Sequence, residues 1–77
     1  MNAPDWLAAY AAKLGLEAPT ETELKAVLEL AGVAAHASQR VAAPVACWLA
    51  AKAGVGLEEA IELARELAEP GPEAPPS

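Results

Sequence analysis

The residues able to do chemistry in this chain are few, and most lie in one stretch, His36-Ala37-Ser38-Gln39-Arg40-Val41-Ala42-Ala43-Pro44. His36 is the only histidine, and Arg40 stands four residues beyond it. On a helix that persists that far, positions i and i+4 share a face. Ser38 and Gln39 add hydrogen-bonding groups between them. Pro44 then opens a further helix behind alanines that have no side chain to cap its free N–H groups. An uncapped helix start beside an arginine suits an anion. The chemistry these types support is recognition of a phosphate, a carboxylate or a C-terminus, with Arg40 binding in bidentate fashion. His36, Ser38 and Gln39 would assist. The same residues also fit a structural role, which has the stronger claim on general grounds. His36 and Arg40 can bond the last carbonyls of the preceding helix, where its dipole favours cations.

Other reactive types are poorly placed for catalysis. Cys47 and His36 could form a thiolate–imidazole pair, but no third group of orienting type accompanies them. Cys47 sits between Ala46 and Trp48, where a small buried hydrophobe is the better account. One cysteine excludes an intrachain disulfide. One cysteine with one histidine leaves too few soft ligands for a closed four-ligand zinc site. Glu58, Glu62 and Glu66 repeat every four residues and read as a solvated helix face. Gly54-Val55-Gly56 lacks the rest of any phosphate loop and reads as a turn. Trp6 and Trp48 are expected as core anchors or interface residues. No catalytic constellation, metal site or cofactor is expected.

The elements that must position these residues are helices. The 77 residues include 42 hydrophobic ones, half of them alanine, with no phenylalanine and one isoleucine. Valine, isoleucine and threonine together number eight, too few for a sheet, whereas alanine, leucine, glutamate and lysine form helices well. The expected fold is all-α: a small four-helix, bundle-like domain over residues 1–68, with an unstructured tail over 69–77. Spacing and punctuation place the helices at about 5–14, 21–39, 44–53 and 57–68. Gly15 and Gly54 supply stops, and Thr20 with Glu23 forms a capping box. Apolar stripes are Leu7, Tyr10, Ala11 and Leu14; Leu24, Val27, Leu28, Ala31, Ala34 and Ala35; Val45, Trp48 and Leu49; and Leu57, Ala60, Ile61, Ala64 and Leu67. Gly32 costs about 1 kcal/mol relative to alanine unless another helix approaches there. Pro44 restricts Ala43 to extended geometry, which predicts a break between Arg40 and Pro44. The end, EPGPEAPPS, carries four prolines in nine residues and lacks the apolar content of a packed segment.

Charge narrows the partners. Eleven acids against five bases give −6. Nucleic-acid affinity is dominated by phosphate neutralisation, so this balance argues against a DNA or RNA binder, and likewise against an anionic membrane surface. No apolar run approaches the ~18 residues of a spanning helix. The N-terminal stretch lacks the basic start of a secretory signal, so a cytoplasmic location is expected. The charges are unevenly spread: residues 30–57 hold no acid, and Arg40 and Lys52 make that stretch positive. A core this small rarely supplies more than about 3–5 kcal/mol, so self-association, in the simplest case a homodimer, is expected to cover remaining apolar surface.

The order WLAAYAAKLGL, a capping threonine before an acidic helix start, and VLELAGVAAHASQRVAAPVACWLAAKAG resembles a small family of uncharacterised bacterial helical domains. The resemblance spans about residues 5–68 and is most specific from His36 to Pro44. Such domains occur alone or C-terminal to molybdenum cofactor guanylyltransferase-type nucleotidyltransferases. The resemblance therefore implies a non-catalytic accessory domain tied to molybdenum cofactor biosynthesis. A nucleotidyltransferase of that type is the implied protein partner, and His36, Arg40 and Pro44 are the matching residues. The enzyme's glycine-rich nucleotide loop and metal-binding acids have no counterpart in this chain, so no guanylyltransferase activity is implied. The alternative reading is a self-associating helical module with no ligand.

Overall fold

The computed structural model describes residues 2–68 and shows four helices: α1 (Ala3–Lys13), α2 (Glu21–Ala37), α3 (Ala42–Ala53) and α4 (Leu57–Ala68). No strand occurs among the described residues, and the fold class is all-α as composition indicates. The expected unstructured tail over 69–77 lies outside the described residues.

Local signals account for most helix ends. Asn2 caps α1, its Oδ1 accepting from the Asp5 N–H at 2.8 Å, so the helix begins slightly earlier than the Pro4–Asp5 signal suggests. Its end is a Schellman turn: Leu16 N–H donates to the Ala11 carbonyl at 2.8 Å and Gly15 N–H to Ala12 at 3.0 Å. Gly15 takes φ 77°, which a Cβ would strain. The capping box of α2 forms in full. Thr20 Oγ1 accepts from Glu23 N–H at 3.0 Å, and Glu23 Oε1 accepts from Thr20 N–H at 2.9 Å. Gly54, also at φ 77°, ends α3.

α3 departs from expectation by starting at Ala42, with Ala43 helical. Pro44 is then the third residue of the helix. The first amides of any helix lack an intrahelical acceptor, so the missing proline N–H costs no hydrogen bond there. Alanine, with only a methyl group, tolerates the crowding that normally pushes the preceding residue out of the helical region. The break accordingly falls at Ser38–Val41, and α2 stops at Ala37.

α2 is the central element, with α3 and α4 both packed along it; other helix pairs scarcely meet. Leu30, 2% exposed, is the centre of the core, joined by Ala60 and Ile61 of α4 and flanked by Ala26, Cys47 and Ala50. An exposed ion pair between Glu29 and Arg65 also ties α2 to α4. Because α3 and α4 flank α2 without closing on each other, an apolar groove remains between them. Leu30 forms its floor, Ala46, Leu49 and Ala50 one wall, and Ala60 and Leu63 the other.

This arrangement corrects several core assignments. A single stripe through Leu24, Val27 and Leu28 suits a helix covered on one side only. α2 is covered on two, so its buried arc is wider and is centred on Leu30, while Leu28 is 61% exposed. Leu67 on α4, Tyr10 on α1 and Leu14 at the C-cap of α1 are likewise exposed, because among the described residues no helix lies over them. Trp6 and Trp48 are not core anchors either, each more than half exposed. Glu58, Glu62 and Glu66 of α4 are exposed as expected, and so is Glu59. At Gly32 a Cβ would meet nothing within 4 Å, so no helix makes a close approach there.

Candidate functional site

The end of α2 places His36 in its last turn, and Ser38, Gln39 and Arg40 form the connection to α3; all four are exposed. Since α2 stops at Ala37, His36 and Arg40 do not share a continuous helix face, and the i, i+4 pairing does not form. Ser38 has left the helical region, at φ −136° and ψ −102°, although its N–H still reaches the Ala34 carbonyl at 3.1 Å. The side-chain hydrogen bonds of the described residues involve none of these four side chains. They therefore do not cap the carbonyls of α2, and their polar groups face solvent.

The start of α3 has no side-chain cap, in line with its alanines. Its first amides are nevertheless engaged: Ala42 N–H donates to the Gln39 carbonyl at 2.9 Å and Ala43 N–H to the Arg40 carbonyl at 3.1 Å. Pro44 has no N–H at all. The helix start thus offers an anion fewer free donors than the bare sequence suggests, and recognition at this turn falls to the side chains, Arg40 above all.

The turn continues into an unusual helix face. Val41, Val45 and Trp48, exposed by 70%, 54% and 59%, recur at helical spacing on the outer side of α3. Lys52 extends the row, its Nζ lying 4.9 Å from the Trp48 ring centroid in a cation–π contact. Arg40 and Lys52 bracket this apolar row, and no acid occurs between residues 30 and 57. A mixed apolar and cationic surface thus stands on a chain whose net charge is −6.

Cys47 lies on the opposite, inward side of α3. Its Sγ is 3.9 Å from the Val27 carbonyl, and burial pushes its thiol pKa above the ordinary value. That shift opposes formation of a thiolate, the species a nucleophilic cysteine needs, and it agrees with the reading of Cys47 as a small packing residue. Among the described residues no cluster of three His, Cys, Asp or Glu side chains is arranged to hold a metal ion, and no helix is long and apolar enough to cross a membrane.

The Val41–Val45–Trp48 row was not singled out as a site from the sequence. The signal was present, as apolar residues at i, i+4 and i+7 in an acid-free stretch, but periodicity alone cannot tell a core face from an exposed one.

The chain belongs to the family described as Domain of unknown function (DUF6457), whose model matches residues 1–75. No curated protein and no solved structure matches it.

Proposed function

We propose that this family member is a non-catalytic accessory domain of molybdenum cofactor biosynthesis. It acts in the cytoplasm by binding a molybdenum cofactor guanylyltransferase-type nucleotidyltransferase through the His36–Pro44 turn and the outer face of α3. The observation that carries the binding role is the exposed row Val41, Val45 and Trp48, set between Arg40 and Lys52 in an acid-free segment. Tryptophan and arginine dominate the energetics of protein interfaces, because each combines a large contact area with directional polar groups. The choice of partner rests on the resemblance centred on His36 to Pro44. Ser38 and Gln39 supply hydrogen bonds at the rim, and Arg40 takes a partner carboxylate or a phosphate of a cofactor precursor.

Calorimetric titration of the chain with such a nucleotidyltransferase tests this. Trp48→Ala and Arg40→Glu are each expected to weaken binding by about tenfold or more, with unchanged far-UV circular dichroism because both side chains are exposed. Absence of binding at high micromolar partner would refute the reading. NMR titration with inorganic phosphate separates the two kinds of ligand: shifts confined to amides 38–46 in phosphate alone would favour the small anion over the protein.

A second reading, self-association into a homodimer, is favoured by a different observation. Among the described residues, the Trp6, Tyr10 and Leu14 stripe on one side of the α1 segment and the groove between α3 and α4 are both left uncovered, although Leu7 and Ala11 on the other side of α1 are partly or fully buried.

A further inference from the structure

We infer that α1 is exchanged between two copies of the chain, the stripe Trp6, Tyr10 and Leu14 of each copy filling the groove between α3 and α4 of the other. This rests on the homodimer reading and specifies which surfaces meet.

Two exposed surfaces within one chain share apolar chemistry. Trp6 and Tyr10 on α1 and Leu14 at its C-cap follow one another every four residues and are exposed by 53%, 50% and 56%. The Trp6 and Tyr10 rings stack, their centroids 5.1 Å apart at 23°, so the two form one continuous aromatic surface. Opposite needs appear in the groove. Leu30 is its floor, and Leu49 and Leu63 on its walls remain 54% and 47% exposed. With α3 and α4 both packed on α2 and scarcely meeting each other, an open apolar groove runs between them. An amphipathic helix with anchors one turn apart is the usual occupant of such a groove.

The linker explains why the copy's own α1 does not fill it. α1 ends in the Schellman turn at Gly15 and Leu16, and residues 16–20 form a short connection with no regular structure before α2. The start of α1 lies instead at the beginning of α2, where Pro4 and Leu7 share a cleft with Pro19, Thr20 and Leu24. Leu30 is six residues further along α2 from Leu24, about 9 Å at the helical rise. Swapping the helix between copies satisfies both surfaces and closes into a two-fold dimer in which the same contact is made twice.

Area and charge agree. Fully covered aromatic side chains bury about 150–250 Å² each, so the uncovered halves of Trp6 and Tyr10 offer about 100 Å² apiece. With Leu14 and the exposed groove leucines, one seated helix covers on the order of 500 Å², and the reciprocal pair reaches the ~1,000 Å² that a specific interface needs. α1 itself is neutral, with Asp5 against Lys13, in an otherwise acidic chain. Lys13 borders the exposed Trp6–Tyr10 surface. On the groove side, Glu59 and Glu66 stand one turn either side of Leu63, on its face of α4. A lysine on the edge of the stripe therefore meets glutamates on the edge of the groove.

The test uses the full chain and size-exclusion chromatography with light scattering. Wild type is expected at twice the 7.8 kDa monomer mass. Tyr10→Lys and Leu63→Glu, both at exposed positions, should each keep the helical circular dichroism of wild type and weaken the dimer by about 30-fold or more. An equimolar mixture should recover dimer. A mixed pair has one wild-type contact and one in which the new lysine meets the new glutamate, whereas each variant alone has two mismatched contacts. A monomer mass at high micromolar concentration overturns the proposal. A Leu63→Glu variant that dimerises like wild type also overturns it, while leaving the homodimer reading itself standing. Failure of the mixture to associate better than either variant overturns the exchange as well.

Discussion

Leu28 and Leu30 lie two residues apart on α2 and offer the same chemical change, leucine to alanine, in opposite environments. Leu30 is 2% exposed and touches the core of α4, whereas Leu28 is 61% exposed. Truncating a buried leucine costs about 2.7–5 kcal/mol, the sum of lost transfer energy and the cavity left behind. The site of Leu30 adjoins the open groove between α3 and α4, so part of the vacated space opens to solvent or closes by collapse. The expected cost of Leu30→Ala is therefore at the lower end, about 2–3 kcal/mol. That is much of the ~3–5 kcal/mol available to a core of this size. Near the transition a kilocalorie shifts the melting midpoint of a domain this small by about 4–8 °C, which predicts a fall of about 10–20 °C. Leu28→Ala should stay within about 0.5 kcal/mol, as surface changes do. Far-UV circular dichroism melts at one fixed protein concentration would make the comparison, so that any association contributes equally. Equal losses for the two variants, or a larger loss for Leu28→Ala, would refute the packing of α2 described above.

Thr20→Ala removes the acceptor for Glu23 N–H and half of the reciprocal box; a loss of about 0.5–2 kcal/mol is expected in urea denaturation. A midpoint unchanged from wild type would show that the box contributes nothing. Burial raises the Cys47 thiol pKa above its ordinary 9.0, so the folded state favours the protonated form. Its stabilising contribution is complete below the unfolded-state pKa and is lost as pH rises through the folded one. Alkaline denaturation of Cys47→Ala is accordingly expected to be shallower than that of wild type as pH rises past the ordinary thiol value of 9.0, and superimposable curves would remove the assignment.

Much of the local structure was legible because local interactions decide it. The capping box at Thr20 and Glu23, the left-handed glycines 15 and 54, and the apolar rhythm of α4 each involve residues within one or two turns. Spacing in the chain is enough to identify them. The acid-free segment from 30 to 57 was equally visible, since charge is a property of composition. The start of α3 was less so, because the usual exclusion of a helical residue before proline yields when that residue is alanine and the proline occupies an orphan position. What the sequence did not reveal is which apolar faces are covered. Leu28 and Leu30, or Val45 and Ala46, are all compatible with an amphipathic helix. Their burial depends on α3 and α4 flanking α2 on two sides and on how little of α1 packs against the other helices. Likewise, the four side chains of the His36–Arg40 turn were identified by type, but whether they cap α2 or face solvent depended on α2 ending at Ala37. Helices follow from neighbours along the chain. The groove between α3 and α4, the exposed stripe of α1 and the exposed Trp48 row, as the described residues show them, exist only through contacts, and gaps, between residues distant in sequence.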